Sequence, residues 1–180
     1  MNEIQNIGPD AVILVSNESE AAPVVQLIAE QAANNRLPII SHWGIMGGDF
    51  QKITGDALTK VDMTVVQTFT FNDASSLKTK QVISGIKRLF GMSVNDLHAQ
   101  AGFAHAYDLT YLLVQAINKA GTTDRVAVRN AMEKLSAHQG LLRTYKHPFS
   151  KTDHEALDIH QLFMGRFDSD GNIQKTVRNN

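Results

Sequence analysis

Residues 10–41 read DAVILVSNESEAAPVVQLIAEQAANNRLPIIS, and their pattern decides the fold. The opening run, residues 10–16, is short, apolar and rich in β-branched side chains, with Gly8 and Pro9 before it and Asn17 and Glu18 after it. Such a run predicts a strand buried on both faces. Over residues 19–35, Val24, Leu27, Ile28 and Gln31 recur at helical spacing, with Pro23 tolerated in the first turn. Residues 37–41, LPIIS, predict a second strand, and Pro38 stands at its start, where a missing donor does least harm. A strand of about six residues at ~3.3 Å each spans ~20 Å, and a helix of about thirteen at ~1.5 Å each spans the same. The helix therefore returns the chain for a parallel partner, and residues 11–41 read as a βαβ unit.

Outward from this unit, residues 48–55, GDFQKITG, predict a short helix stopped by Gly55, and residues 63–69, MTVVQTF, a third strand. The alternation predicts an α/β fold with a mainly parallel sheet covered on both sides. Beyond Phe71 come three helical segments in succession, residues 75–91, 101–121 and 124–136, with Thr123 or Asp124 capping the third. Residues 160–168 and 172–177 flank Ser169, Asp170 and Gly171, a turn signal for a terminal β-hairpin. At the other end, residues 2–10, NEIQNIGPD, resemble the last turns of a helix closing at Gly8 and Pro9, which predicts that an earlier part of a longer protein precedes them.

The 180 residues suffice for one sizeable α/β domain or for a large piece of a two-domain protein. With 43% hydrophobic and 19% charged residues the composition is globular. Seventeen basic against 18 acidic residues give no reason to expect nucleic acid or an anionic membrane as partner. The lack of cysteine removes disulfides, thiolate nucleophiles and cysteine-bound zinc, and fits the cytoplasm or a cysteine-free periplasmic protein. No apolar run approaches the ~20 residues needed to span a bilayer, and the N-terminal residues are too polar for a signal peptide.

In an open parallel sheet, ligands bind beyond the carboxyl ends of the strands. Here the first strand exits into Ser16, Asn17, Glu18 and Ser19, and the second into His42 and Trp43, within SHWGIMGGDF at residues 41–50. A right-handed crossover places both exits on one edge of the sheet. Asn17 and Glu20 have the spacing of a capping box, and Glu18 and Glu20 offset the positive helix end, so an anion is disfavoured there. A neutral or cationic molecule with an apolar face fits better, with the Trp43 indole to stack on it and Asn17, Glu18 and His42 to hydrogen-bond it. Each residue has a plainer reading too: Trp43 as cover for the sheet end, His42 as a solvated turn residue, Asn17 as a helix cap.

Elsewhere the chemistry is thin. His154 and His160 lack the i, i+4 spacing of a zinc pair, and His105 and Asp108, three apart on a helix, predict a local hydrogen bond, so no metal site is expected. Tyr107, Tyr111, Val114 and Ile117 form a helical stripe that reads as core. No nucleophile elbow or dinucleotide-binding turn is present, and Asp153 with Glu155, or Asp168 with Asp170, read as solvated surface. No catalytic residue and no cofactor are expected.

The runs GPDAVILVSNESEAAPVVQLIAEQ, LPIISHWGIMGGDF, GDAL and VVQTFTF, followed by HAYDLTYLLVQAINKAGTTDRVAVRNAMEKL, resemble the C-terminal half of type I periplasmic solute-binding proteins. This is the leucine/isoleucine/valine-binding family, whose relatives also serve amides and urea. The resemblance implies a parallel-sheet lobe with C-terminal helices belonging to or packing on the other lobe. It divides the chain into residues 1–68 as a second-lobe α/β segment, 69–140 as a hinge crossing and first-lobe helices, and 141–180 as the last crossing and the terminal hairpin. It also implies ligand contacts from Asn17, Glu18, His42 and Trp43. Amino-acid binders of the family often carry an acidic residue at the second of these loops; this chain has Trp43 there and no acid nearer than Asp49, which shifts weight toward an amide, an aromatic compound or another small metabolite.

The expected function is capture of a small polar molecule, such as an amino acid or amide, outside the cytoplasm for delivery to the membrane permease of an ABC transporter. The alternatives are the ligand-sensing domain of a signalling receptor and, less favoured, a small hydrolase using His42 and a carboxylate. Apolar surface left open in such a half-protein favours self-association.

Overall fold

The computed structural model describes residues 6–72 and 75–176. Its main sheet has five strands in the order β1-β2-β3-β6-β7: β1 (Val12–Leu14), β2 (Ile39–His42), β3 (Met63–Gln67), β6 (Phe163–Phe167) and β7 (Ile173–Lys175). The first three are parallel, in register Val12 to Ile39 and Ile39 to Met63, while β6 and β7 are antiparallel to their neighbours. The expected βαβ unit and terminal hairpin are both formed, and the sheet is mixed. Asn6 and Ile7 are helical and Gly8 turns left-handed after them; residues 1–5 of the expected leading helix lie outside the described residues.

Helix α1 (Glu18–Ala29) joins β1 to β2, and the short helices α2 (Phe50–Thr54) and α3 (Ala57–Lys60) lead into β3. Its buried face is Ala21, Ala22, Val25, Ile28 and Ala29. Of the expected stripe, Ile28 is in the core and Val24 packs against its edge, while Leu27 is left half-exposed because the small alanines let the helix lie close on the sheet. Pro23 sits in the second turn and not in the first. Together with Val12, Leu14, Ile39, Phe50, Met63, Val65 and Ile173, this face makes the first core.

Among the described residues the sheet is covered on one side only, contrary to expectation. Ile13 and Val15 are 77% and 76% exposed, and the register places Ile13 beside the exposed Ile40 on the same face. The first strand is thus half-buried and not doubly buried: α1, α2 and α3 supply one layer, and no other described element covers the apolar opposite face.

After β3 the chain runs through the buried Phe69, Thr70 and Phe71 to α4 (Leu77–Phe90), α5 (Gln100–Ala120) and α6 (Arg125–Met132). Ser76 caps α4, and Asp124 caps α6 by accepting the Ala127 N–H at 2.9 Å. A second core joins Phe69, Phe71, Val82, Ile86, Ala101, Ala104 and Leu141, and a third joins Leu112, Ala116, Val128, Ala131 and Leu135. The buried line of α5 is Ala101, Ala104, Asp108, Leu112 and Ala116. Of the stripe read as core, Tyr107 and Ile117 pack against the cores while Tyr111 and Val114 are 45% and 48% exposed, and the Lys78 ammonium sits 5.4 and 5.1 Å from the Tyr107 and Tyr111 ring centres. Burial, reinforced by Tyr111, pushes the Tyr107 phenol up to about 12.

Asp108 explains why α5 tolerates a carboxylate at its buried centre. It accepts the Leu141 and Leu142 N–H groups and the Tyr145 hydroxyl, the last two at 3.0 and 2.8 Å. Those donors belong to the small hairpin of β4 (His138–Gln139) and β5 (Thr144–Tyr145), which is thereby fastened to the helix. The expected local bond between His105 and Asp108 is not made, since three converging donors satisfy the carboxylate better than one.

Candidate functional site

Beyond β2, the chain enters a short 3₁₀ turn, Trp43–Met46. His42 accepts the Gly44 N–H at its Nδ1, 3.1 Å away, which leaves the proton on Nε2. That Nε2 is buried and, among the described residues, has no hydrogen-bond partner. A β-carbon at Gly44 would collide with the imidazole, so glycine there is what lets the ring fold back on its own turn.

Gly47 and Gly48 make room for a side chain from a different element. A β-carbon on Gly48 would stand 2.7 Å from Glu18 Oε1, and one on Gly47 3.2 Å from Oε2. The carboxylate of the first strand's exit thus lies on the loop of the second, as the convergence of neighbouring exits requires. Asn17 is the N-cap of α1 by position, its carbonyl accepting the Ala21 N–H at 3.0 Å, while its side chain makes no capping bond. The capping box expected of Asn17 and Glu20 is absent: the Glu20 carboxylate takes the Ser19 hydroxyl at 2.8 Å instead. The Asn17 amide is therefore exposed at the strand exit with no capping duty.

Trp43 is 43% exposed. Its ring lies 6.3 Å from that of His105 at 30°, in a stacked arrangement, and 6.3 Å from that of His42 at 75°, edge-on. His105 comes from α5, and its Nε2 is 2.8 Å from the hydroxyl of Thr68, the residue after β3. Burial holds its pKa below the ordinary histidine value despite the nearby Asp108 charge, so the ring facing Trp43 is neutral at physiological pH.

The structure therefore brings His42 and Trp43 together by sequence, Glu18 to their loop across the sheet, and adds His105 and Thr68. Sequence reasoning missed the last two. His105 was visible as a helical histidine, but nothing local pointed to an indole sixty-two positions away. What results is a partly open aromatic face with one buried N–H donor and one carboxylate near it, and with no lysine or arginine among its members. Such a set can hold a neutral or cationic polar molecule with a flat or apolar portion and has no fixed positive charge to pair with an anion. Among the described residues no group of three His, Cys, Asp or Glu side chains could hold a metal ion, and no helix is long and apolar enough to cross a membrane.

Several solved structures share the fold. A type 1 periplasmic binding protein from Bordetella pertussis Tohama I superposes with a TM-score of 0.75 at 18% identity, over 96% of this chain and 47% of its own. The leucine-binding protein LivK from Thermotoga maritima gives 0.73 at 16%, over 98% and 46%. The branched-chain amino acid transporter substrate-binding protein LivJ from Streptococcus pneumoniae, solved in complex with isoleucine, gives 0.68 at 16%, over 96% and 47%. The chain thus spans about half the length of these structures. No curated protein matches it. A family profile described as periplasmic binding protein matches residues 1–172, and the chain belongs to that family.

Proposed function

We propose that this chain supplies one wall of a solute-binding cleft, with Asn17, Glu18, His42 and Trp43 as ligand contacts and His105 as the support behind the indole. The observation that carries this reading is the joint placement of the Glu18 carboxylate and the half-exposed Trp43 by one glycine-bearing loop. The solute is a small polar molecule, an amino acid, an amide or a related metabolite, bound outside the cytoplasm and passed unchanged to the permease of an ABC transporter. Its cationic or amide group would meet Glu18 and its flatter portion Trp43. The likeness to a leucine-binding protein and to an isoleucine complex supports this ligand class.

In this reading residues 1–68 form a second-lobe segment, 69–140 a crossing with helices of the other lobe, and 141–180 the last crossing with the hairpin that returns to the sheet. Closure of two such bodies on a ligand would be a hinge motion. The open apolar sheet face supports self-association of the chain by itself.

A thermal-shift screen of amino acids, amides, urea and aromatic acids tests the proposal. A ligand at about 100 times its Kd stabilises by ~2.7 kcal/mol, which raises Tm by roughly 5–10 °C in a chain of this size. Trp43→Ala should abolish that shift; a shift that survives it removes the indole from the site.

A further inference from the structure

Where β3 leaves the sheet for the crossing, Gln67 is 2% exposed, yet its carboxamide has no hydrogen bond among the described residues. It faces a small recess, and the volume open there to the centre of a water molecule is about 20 Å³. Such a volume holds one water and nothing larger. Around it stand further polar side chains: Gln51, Asn95, His98, Gln100 and Asn172. No Asp, Glu, Lys or Arg side chain lines it, so the walls offer no charge for an ion to pair with.

The recess lies at the seam of two packed bodies. Met46 and Ile173 on one side belong to the core beneath the sheet, and Phe69 and Ala101 on the other to the core between α4 and α5. Next to it runs a polar knot. Gln100 accepts the Phe71 N–H at 3.0 Å, has its Oε1 3.3 Å from the Thr70 hydroxyl oxygen, and donates one amide hydrogen to the Val94 carbonyl at 3.1 Å. Thr70 and Asn72 also donate to the Ile173 carbonyl, at 3.0 and 3.1 Å, which ties the crossing to β7.

A carboxamide set this deep without a protein partner needs solvent to complete its bonding, and a polar recess of one-water size beside it is a place where that can happen. We infer that the recess is a binding site for one ordered water, which bridges Gln67 of the sheet body to the carboxamides of the residue 95–100 connector and makes this crossing a wet joint. The inference stands on Gln67 and the recess, and does not depend on which solute the chain binds.

The test is made on the 180-residue chain itself. Water-to-protein cross-relaxation in NMR should show a long-lived water at the Gln67 side-chain amide protons, and a high-resolution crystal structure should show one density peak within hydrogen-bond reach of Gln67 and at least one connector carboxamide. Gln67→Met keeps the volume and removes the polar group; the water signal should vanish and the Phe71 amide should exchange with solvent several-fold faster as Gln100 loosens. No long-lived water in the wild type, direct pairing of Gln67 with Gln100 or Asn95 across a closed recess, or a water signal unchanged in Gln67→Met would each overturn the inference. The wild-type measurements decide it even if Gln67→Met fails to fold.

Discussion

Gly48→Ala tests how the candidate site is built. Gly48 has φ +53°, where an alanine costs ~1–2 kcal/mol because its β-carbon crowds the following carbonyl. The new β-carbon would also stand 2.7, 2.9 and 3.0 Å from Oε1, Cγ and Cδ of Glu18. Glu18 can move only by leaving its rotamer, which costs about 0.5–1.5 kcal/mol. The substitution should therefore destabilise by about 2–3 kcal/mol, a fall in Tm of roughly 4–10 °C for a chain of this length. In a Glu18→Ala background the contact is gone and only the backbone part, ~1–2 kcal/mol, should remain. Urea melts of the wild type, the two single variants and the double variant give the coupling directly, expected near 1 kcal/mol in the sense that Glu18→Ala relieves Gly48→Ala. Additivity within about 0.3–0.5 kcal/mol would mean that Glu18 does not lie on this loop, and the shared wall of the two strand exits would be lost with it.

Asp108→Ala leaves the buried Leu141 N–H, the part-buried Leu142 N–H and the Tyr145 hydroxyl without their acceptor and should cost about 3–5 kcal/mol in a denaturant melt, with Tyr145→Phe costing about 1.5–3. Burial holds His105 and His138 below the ordinary histidine value of 6.5, so just below that pH the unfolded chain binds more protons than the folded one. Their contribution is whole above about pH 6.5 and is lost as pH falls toward the folded values; melts from about pH 8 to pH 5 should show this decline, and His105→Gln with His138→Gln should flatten it. Protonated His105 beside the indole should also quench the emission of Trp43, the sole tryptophan, at acid pH, and His105→Gln should remove the step. Ile13→Lys with Val15→Lys should leave the unfolding free energy within about 0.5 kcal/mol of the wild type while raising the monomer fraction in sedimentation, because both side chains stand on the open sheet face.

Much of the fold was legible because its signals are local. The β-branched run of β1, the glycine ends of α2, α4 and α5, and the turn at Ser169, Asp170 and Gly171 each fix structure within a few residues of themselves. Which side of an element meets the core is not local. Val24 and Leu27 have the right spacing for the buried face of α1, but the alanines beside them allow a closer approach, and closeness of packing won over side-chain size. The same competition turned α5, where Ala101, Ala104 and Ala116 face inward and Tyr111 lies aside. Nor could composition show that β1 lacks a second covering layer among the described residues, since an apolar strand reads alike whether or not its other face has a partner.

The candidate site shows the limit from the other direction. Three glycines in SHWGIMGGDF look like a flexible turn when read alone, yet each clears space for a named atom: Gly44 for the His42 ring, Gly47 and Gly48 for the Glu18 carboxylate. Only the first of these pairs lies within the stretch itself. Glu18 reaches the loop because parallel neighbours in a sheet open on the same edge, so the topological rule carried the inference from one exit to the other. His105 lies beyond that rule. It arrives on a helix from another packed body, held by the Thr68 hydroxyl at 2.8 Å, and sequence spacing offers no constraint between bodies. The stack of Trp43 on His105 is therefore where the geometry of the crossing and the chemistry of the site meet. A change in the angle between the two bodies must move one ring across the other, and the emission of Trp43 should report that motion whether or not a solute is bound.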